Sequence, residues 1–169
     1  MNIAEKELSS NTSAASFVQS EVFARTFREG MTLVEETANY LDGEGREASK
    51  SLSRSAALSY AGASMRLTTQ LMQIASWLLV LRAVRENDMT IIEASEPKYR
   101  LGKRENAPAD MLSGELPQSL VNLIDAATQL YDRISRLDTD LFLAGESAAP
   151  IHDAAAQQRA LLNAFGGRD

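Results

Sequence analysis

The residues of this sequence that could do chemistry are few and poorly placed for it. The sole histidine, His152, lies beside Asp153 late in the chain, so no two histidines stand at metal-ligand spacing. A catalytic histidine needs a rigid orienting partner, which favours a solvated side chain here. Glu35 and Glu36 are adjacent, and on a helix adjacent side chains diverge. We therefore expect neither a metal site nor a pair of catalytic carboxylates.

Other catalytic motifs are incomplete. The stretch GEGREA, residues 43–48, begins like a dinucleotide-binding loop but lacks the third glycine and follows a predicted helix instead of a strand. The serines between positions 49 and 55 have no histidine to activate them. The chain also contains no cysteine, which excludes disulfides and thiol catalysis. The sequence predicts a protein that is not an enzyme and holds no cofactor.

A basic cluster lies in the second half of the chain, and it consists of Lys98, Arg100, Lys103 and Arg104 around Tyr99. Such a cluster can contact nucleic acid or an acidic partner. The net charge of -6 and the absence of a recognition motif argue against nucleic acid. We expect a solvated loop and keep the four basic residues as candidate partner-binding residues.

The elements that must position these residues are helical. The chain of 169 residues fits one domain, and its apolar residues recur at helical spacing in three long segments. These segments are predicted at about residues 17–42, 54–86 and 117–145. Residues 43–53 are predicted to form a loop. In the second connection, Thr90 and Glu93 fit a capping box for a short extra helix that Pro97 ends.

The fold class that follows is all-α, an up-down-up three-helix bundle with this short extra helix. We divide the chain into a flexible N-terminus (1–16), the bundle (17–145) and a flexible C-terminal tail (146–169). The N-terminus has no signal-peptide core, so we expect a cytoplasmic protein.

The second helix carries two apolar stripes. It includes the stretch RLTTQLMQIASWLLVLRAV, where Arg66 and Arg82 bracket fifteen uncharged residues, too few for a membrane span. One stripe is expected to be the core face: Leu58, Ala61, Met65, Thr68, Met72, Ala75 and Leu79. A second flank contains Ile74, Trp77, Leu81 and Val84. Because helices one and three can cover only two sides, this flank is expected to contact another chain or a second copy.

Three motifs carry a resemblance to a known family: MTLVEETANYLDGEGR (31–46), YAGASMRLTTQLMQIASWLLVLRAV (60–84) and LYDRISRLD (130–138). They resemble the alphaproteobacterial family typified by the regulator of CtrA degradation, over roughly residues 17–142. The resemblance implies a non-enzymatic three-helix bundle that forms a homodimer. It also implies an adaptor for the ClpXP protease in cell-cycle-regulated proteolysis, in the cytoplasm and concentrated at a cell pole.

In that family the adaptor joins a protease primed by a response-regulator-like protein, and it tethers cargo such as transcription regulators or a further adaptor. On this basis we hypothesise that the tail residues Leu161, Leu162 and Phe165 form a docking peptide. The flank of helix two would serve dimerisation or cargo binding. Two alternatives remain open: a purely structural dimeric bundle, and a DNA-associated regulator that uses the basic cluster.

Overall fold

The structure, a computed structural model, describes residues 12–104 and 116–143. These residues form six α-helices: α1 (12–19), α2 (Glu21–Asp42), α3 (Glu44–Lys50), α4 (Arg54–Arg85), α5 (Ile91–Ala94) and α6 (Gln118–Asp138). A 3₁₀ turn at Pro97–Tyr99 follows α5, and a π-helical turn at Thr139–Leu143 extends α6. The described ranges contain no strand. The predicted all-α three-helix bundle is confirmed, with α2, α4 and α6 as its long helices.

Helices α2 and α4 are antiparallel. Near the start of α2, the Phe27 ring lies under the guanidinium of Arg82 from the end of α4, at 5.3 Å from the ring centroid. At the opposite end of the pair, Tyr40 of α2 lies close to Tyr60 of α4. The short connection between the two helices enforces this direction.

Helix α6 runs parallel to α4, which differs from the predicted up-down-up order. Gln70 of α4 donates a hydrogen bond to the backbone oxygen of Ala127, and Trp77 donates one to Asp138. Because both partners advance along their helices together, the two helices point the same way. The order is therefore up-down-down.

The second connection explains this direction, because it returns along the bundle before α6 begins. Arg100 binds Asp138, whereas Arg104 binds Asp132, one and a half turns earlier in α6. A connection of only a few residues would have forced an antiparallel neighbour. This connection instead brings the chain back toward the level at which α4 starts.

The core lies between the three long helices. Its largest fully buried side chains are Trp77, Phe23, Leu67, Ile74, Leu78, Leu81, Leu120, Leu130, Ile134 and Val18. Each such side chain contributes roughly 1.5–3 kcal/mol through burial. Gly30 lies where the three helices meet, because a Cβ there would overlap Leu78 and lie 3.7 Å from both Ile74 and Leu130. The helices can approach this closely only because position 30 has no side chain.

The helix ends follow local capping chemistry. The Ser53 hydroxyl accepts a hydrogen bond from the Ala56 backbone N–H and caps α4. The predicted capping box of Thr90 and Glu93 is also present, and the Thr90 backbone N–H lowers the pKa of Glu93. Asn87 ends α4 in the left-handed region, at φ 63°.

Two local predictions were wrong. The segment predicted as a loop contains α3, which carries Glu44 in its first turn and Lys50 in its last, the charge order that a helix dipole favours. The helical structure also begins before residue 17, since residues 12–19 form α1 and its Val18 is buried. A break at Ser20, whose hydroxyl accepts from the Phe23 N–H, separates α1 from α2. The chain therefore enters the bundle earlier than the residue pattern suggested.

Candidate functional site

The most unusual surface of the molecule is an exposed apolar face on α4. Four large hydrophobic side chains project from it at intervals of seven residues: Leu58 (70% exposed), Met65 (72%), Met72 (67%) and Leu79 (51%). The smaller Ala61, Thr68 and Ala75 alternate with them. Apolar residues at a and d positions over three heptads are the pattern by which a helix packs against another helix. We call these seven residues the heptad face.

A groove between α2 and α4 adjoins the heptad face. Its volume is about 240 Å³, and its lining is Val34, Thr37, Ala38, Leu41, Thr68, Leu71, Met72 and Ala75. The Thr37 side chain contributes to this lining, but its hydroxyl oxygen is buried and out of reach of an occupant. The groove therefore offers an almost wholly apolar surface. The groove could therefore receive an apolar helix or peptide.

A tyrosine cluster lies at the end of the bundle where α2, α3 and α4 meet. A Cβ on Gly45 would lie 2.6 Å from the Tyr60 hydroxyl oxygen, so only glycine permits this contact. The hydroxyls of Tyr40 and Tyr60 are buried and find no hydrogen-bond partner among the residues that the structure describes. Burial raises the pKa of Tyr40 above its usual value, which keeps this phenol neutral. The cluster holds α3 against the bundle.

The opposite end of the bundle contains a buried ion pair. The Asp138 carboxylate accepts hydrogen bonds from Arg100 Nη2 (2.7 Å), from Arg100 Nε (2.8 Å) and from Trp77 Nε1 (2.8 Å). The Arg100 and Asp138 side chains are only 14% and 10% exposed. Arg100 also lies 4.7 Å from the centroid of the Phe142 ring. This network fastens the second connection to α4 and α6.

The candidate residues Trp77, Leu81 and Val84 lie in the core, at 2%, 0% and 8% exposure. The expectation that they form an outward flank was wrong, as was the assignment of the heptad face to the core. Both stripes have helical spacing, and the bundle buried the stripe with the larger and more branched side chains. The exact interval of seven between Leu58 and Leu79 was the signal that could have identified the outward face.

The basic cluster is largely neutralised by ion pairs. Lys98 binds Glu96 at 2.9 Å, which raises the pKa of Lys98, and Arg104 binds Asp132 at 3.1 Å. Arg100 is committed to Asp138, as described above. The fourth residue, Lys103, accepts a hydrogen bond through its backbone oxygen from a glutamine of α4. The structure thus brings three of the four side chains to acidic partners within the chain.

The neighbouring Tyr131 completes this region. Its hydroxyl donates a hydrogen bond to the Gly102 backbone oxygen, and burial raises its pKa. This contact holds the second connection against α6 and contributes no reactive group.

Several sequence candidates lie outside the described residues, namely His152, Leu161, Leu162 and Phe165. Within residues 12–104 and 116–143, no group of three metal-binding side chains occurs. Glu35 and Glu36 are exposed on α2. The tail hypothesis stays a prediction.

Helix α4 is long and apolar enough to cross a membrane, with 32 residues and a mean hydropathy of 1.3 over its most apolar window. The expectation that this segment is too short for a membrane span rested on the fifteen residues between Arg66 and Arg82, which are fewer than the 32 residues of the whole helix. A core helix of a soluble protein satisfies the same criteria, and 39% of that window is buried inside the protein.

Fold and surface together describe a helical protein that presents an exposed apolar face. The family model described as "Protein of unknown function (DUF1465)" matches residues 14–165, and the chain belongs to this family. Neither this family nor the related structure below is evidently enzymatic.

The chain is also similar to RcdA from Caulobacter crescentus CB15, a protein with a crystal structure. The sequence identity is 52%, the alignment covers 76% of this chain and 98% of that chain, and the TM-score is 0.65. The expected membership of an RcdA-like family is therefore confirmed. No match was found among curated proteins.

Proposed function

We propose that this protein is a non-enzymatic adaptor that tethers cargo to a primed ClpXP protease in cell-cycle-regulated proteolysis. The observation that carries the proposal is the 52% identity to RcdA over 98% of that chain. The cargo would be transcription regulators or a further adaptor, and the primer a response-regulator-like protein. The protein would act in the cytoplasm, concentrated at a cell pole, and would form a homodimer.

The surface of the protein suits this role. An adaptor needs binding faces and not reactive groups, and the heptad face offers helical partners a long apolar contact. Tethering then raises the local concentration of cargo near the protease to the order of millimolar, so that individually weak contacts suffice.

The test is reconstituted degradation of a candidate cargo by ClpXP, with and without the primer and with and without this protein. We expect cargo loss to accelerate only when the primer and this protein are both present. A variant with Met65→Gln and Met72→Gln should reduce the acceleration, whereas Ile92→Gln, a change at an equally exposed apolar residue on α5, should not. No acceleration with any of several cargoes would contradict the adaptor proposal and leave a structural dimeric bundle.

A DNA-associated regulator is the less supported alternative. Its proposed contact, the basic cluster, has Lys98, Arg100 and Arg104 engaged with acidic side chains. DNA retention that falls with salt and is lost on neutralising these residues would support it.

A further inference from the structure

The α2–α4 groove and the adjoining heptad face form one apolar surface that no described residue covers. Met72, 67% exposed, belongs to both surfaces, so a helix in the groove would cover part of the heptad face. We propose that the C-terminal tail of the same chain docks there as a helix, through a stripe that runs from Ile151 to Phe165.

The tail sequence matches the surface in period. Its apolar residues recur at the spacing of one helix face: Ile151, Ala154, Ala155, Leu161, Leu162 and Phe165. Large and small residues alternate on the heptad face, so large tail side chains can pack over Thr68 and Ala75. Gln158 is the one polar residue within the tail stripe. The family model also extends to Phe165, the last residue of this stripe.

The chain is long enough to reach the groove. The described chain ends at Leu143, five residues past the Asp138 that binds Trp77, so this end is about level with Arg82 of α4. A tail helix that begins at this level with Ile151 and runs back along α4 brings Leu162, about 16 Å further along its axis, beside Met72, which lies about 15 Å before Arg82. The tail must also pass around one helix, over roughly 10 Å. The seven residues 144–150 span about 15 Å on average as a flexible linker. The tail stripe can therefore lie in the groove without strain.

Covalent linkage favours the tail over other occupants. A linked segment has an effective concentration on the order of millimolar. At equal intrinsic affinity it therefore occupies the groove about 10³ times as often as a free partner at micromolar concentration. The segment 105–115 offers only Met111 and Leu112 as large apolar residues, too few for two helical turns of contact. The tail would leave the groove when a partner binds either the tail or the groove more tightly.

The test uses disulfide formation, because the chain has no cysteine of its own. The first variant carries Met72→Cys and Leu162→Cys. The matched control carries Ile92→Cys and Leu162→Cys. Ile92 is as exposed as Met72, at 69%, but it lies outside the groove, on the connection that Arg100 fastens to Asp138 at the end of α6. We expect the first variant to form an intramolecular disulfide on the order of tenfold faster than the control under mild oxidation at low micromolar concentration. Circular dichroism would verify that both variants are folded.

Two results would overturn the proposal. Equal rates in the two variants would show that the tail has no preference for the groove. A disulfide-linked dimer of the single variant Met72→Cys, formed in preference to the intramolecular bond, would assign the surface to a second copy. Neither result depends on a protease, so this proposal and the adaptor proposal fail independently.

Discussion

The two faces of α4 are both apolar, yet they have opposite positions in the molecule. One face buries Leu67, Ile74 and Trp77 against α2 and α6, and the other leaves Met65 and Met72 more than two-thirds exposed. The buried face carries branched and aromatic side chains that fill a fixed shape, whereas the exposed face has two flexible methionines at its centre, between leucines at its two ends. Methionine adapts to different partners, which suits a binding surface. Hydropathy alone does not distinguish the buried face from the exposed one.

The largest expected effect comes from breaking the buried face. Trp77→Ala would remove the largest core side chain and leave Asp138 with one donor fewer, so unfolding should become easier by about 3–5 kcal/mol. Urea denaturation followed by circular dichroism measures this change.

Trp77→Phe separates the two contributions to that loss. It retains most of the ring volume but removes the N–H that binds the Asp138 carboxylate, so we expect a cost of about 2 kcal/mol. A cost as large as that of Trp77→Ala would mean that the hydrogen bond, and not packing, dominates the buried face.

A smaller effect is expected at the point where the three helices meet. Gly30→Ala gains about 1 kcal/mol of helix propensity but forces Leu78 to move in a packed core, for a net loss of about 1–2 kcal/mol. Thermal unfolding checks the sign.

Gly62→Ala in α4 is the matched control. A Cβ there would meet only the far end of the Arg66 side chain at 3.3 Å, so the helix propensity should leave stability equal or higher. Similar losses for both variants would show that close helix approach at Gly30 is not the cause.

The smallest effect on stability is expected on the exposed face. Met65→Gln together with Met72→Gln should change the free energy of unfolding by about 0.5 kcal/mol or less, because neither side chain is in the core. The same variant should bind less of a hydrophobic dye such as ANS. A loss of several kcal/mol would place these methionines in a core and erase the contrast between the faces.

Much of the fold was predictable because its signals are local. Ser53 and the Thr90–Glu93 box set helix starts through hydrogen bonds within three residues. The direction of α6 was not predictable in this way, because it depends on contacts between Arg100 and Asp138, which are 38 positions apart. Helix α3 was missed because Gly43 at its N-cap and Gly45 in its first turn resemble a loop, although Gly45 lies against two tyrosines.

The candidate site shows the same division. The residues of the heptad face were all recognised as one stripe. The sequence nevertheless predicted this stripe as core and the Trp77 stripe as surface, and the structure shows the reverse. The basic cluster was identified as a group, yet its charges are paired with acids from other segments, such as Asp132 and Asp138. Which charges remain available depends on the neighbours that folding supplies.

The sequence by itself determined that the protein is helical, where its three long helices lie along the chain, and to which family it belongs. These properties follow from side-chain period, capping hydrogen bonds and motifs within short stretches. The tertiary structure alone decided which stripe of α4 is buried and that α6 runs parallel to α4. Two apolar stripes on one helix are nearly equivalent until partner helices of particular shape pack against one of them and leave the other as surface.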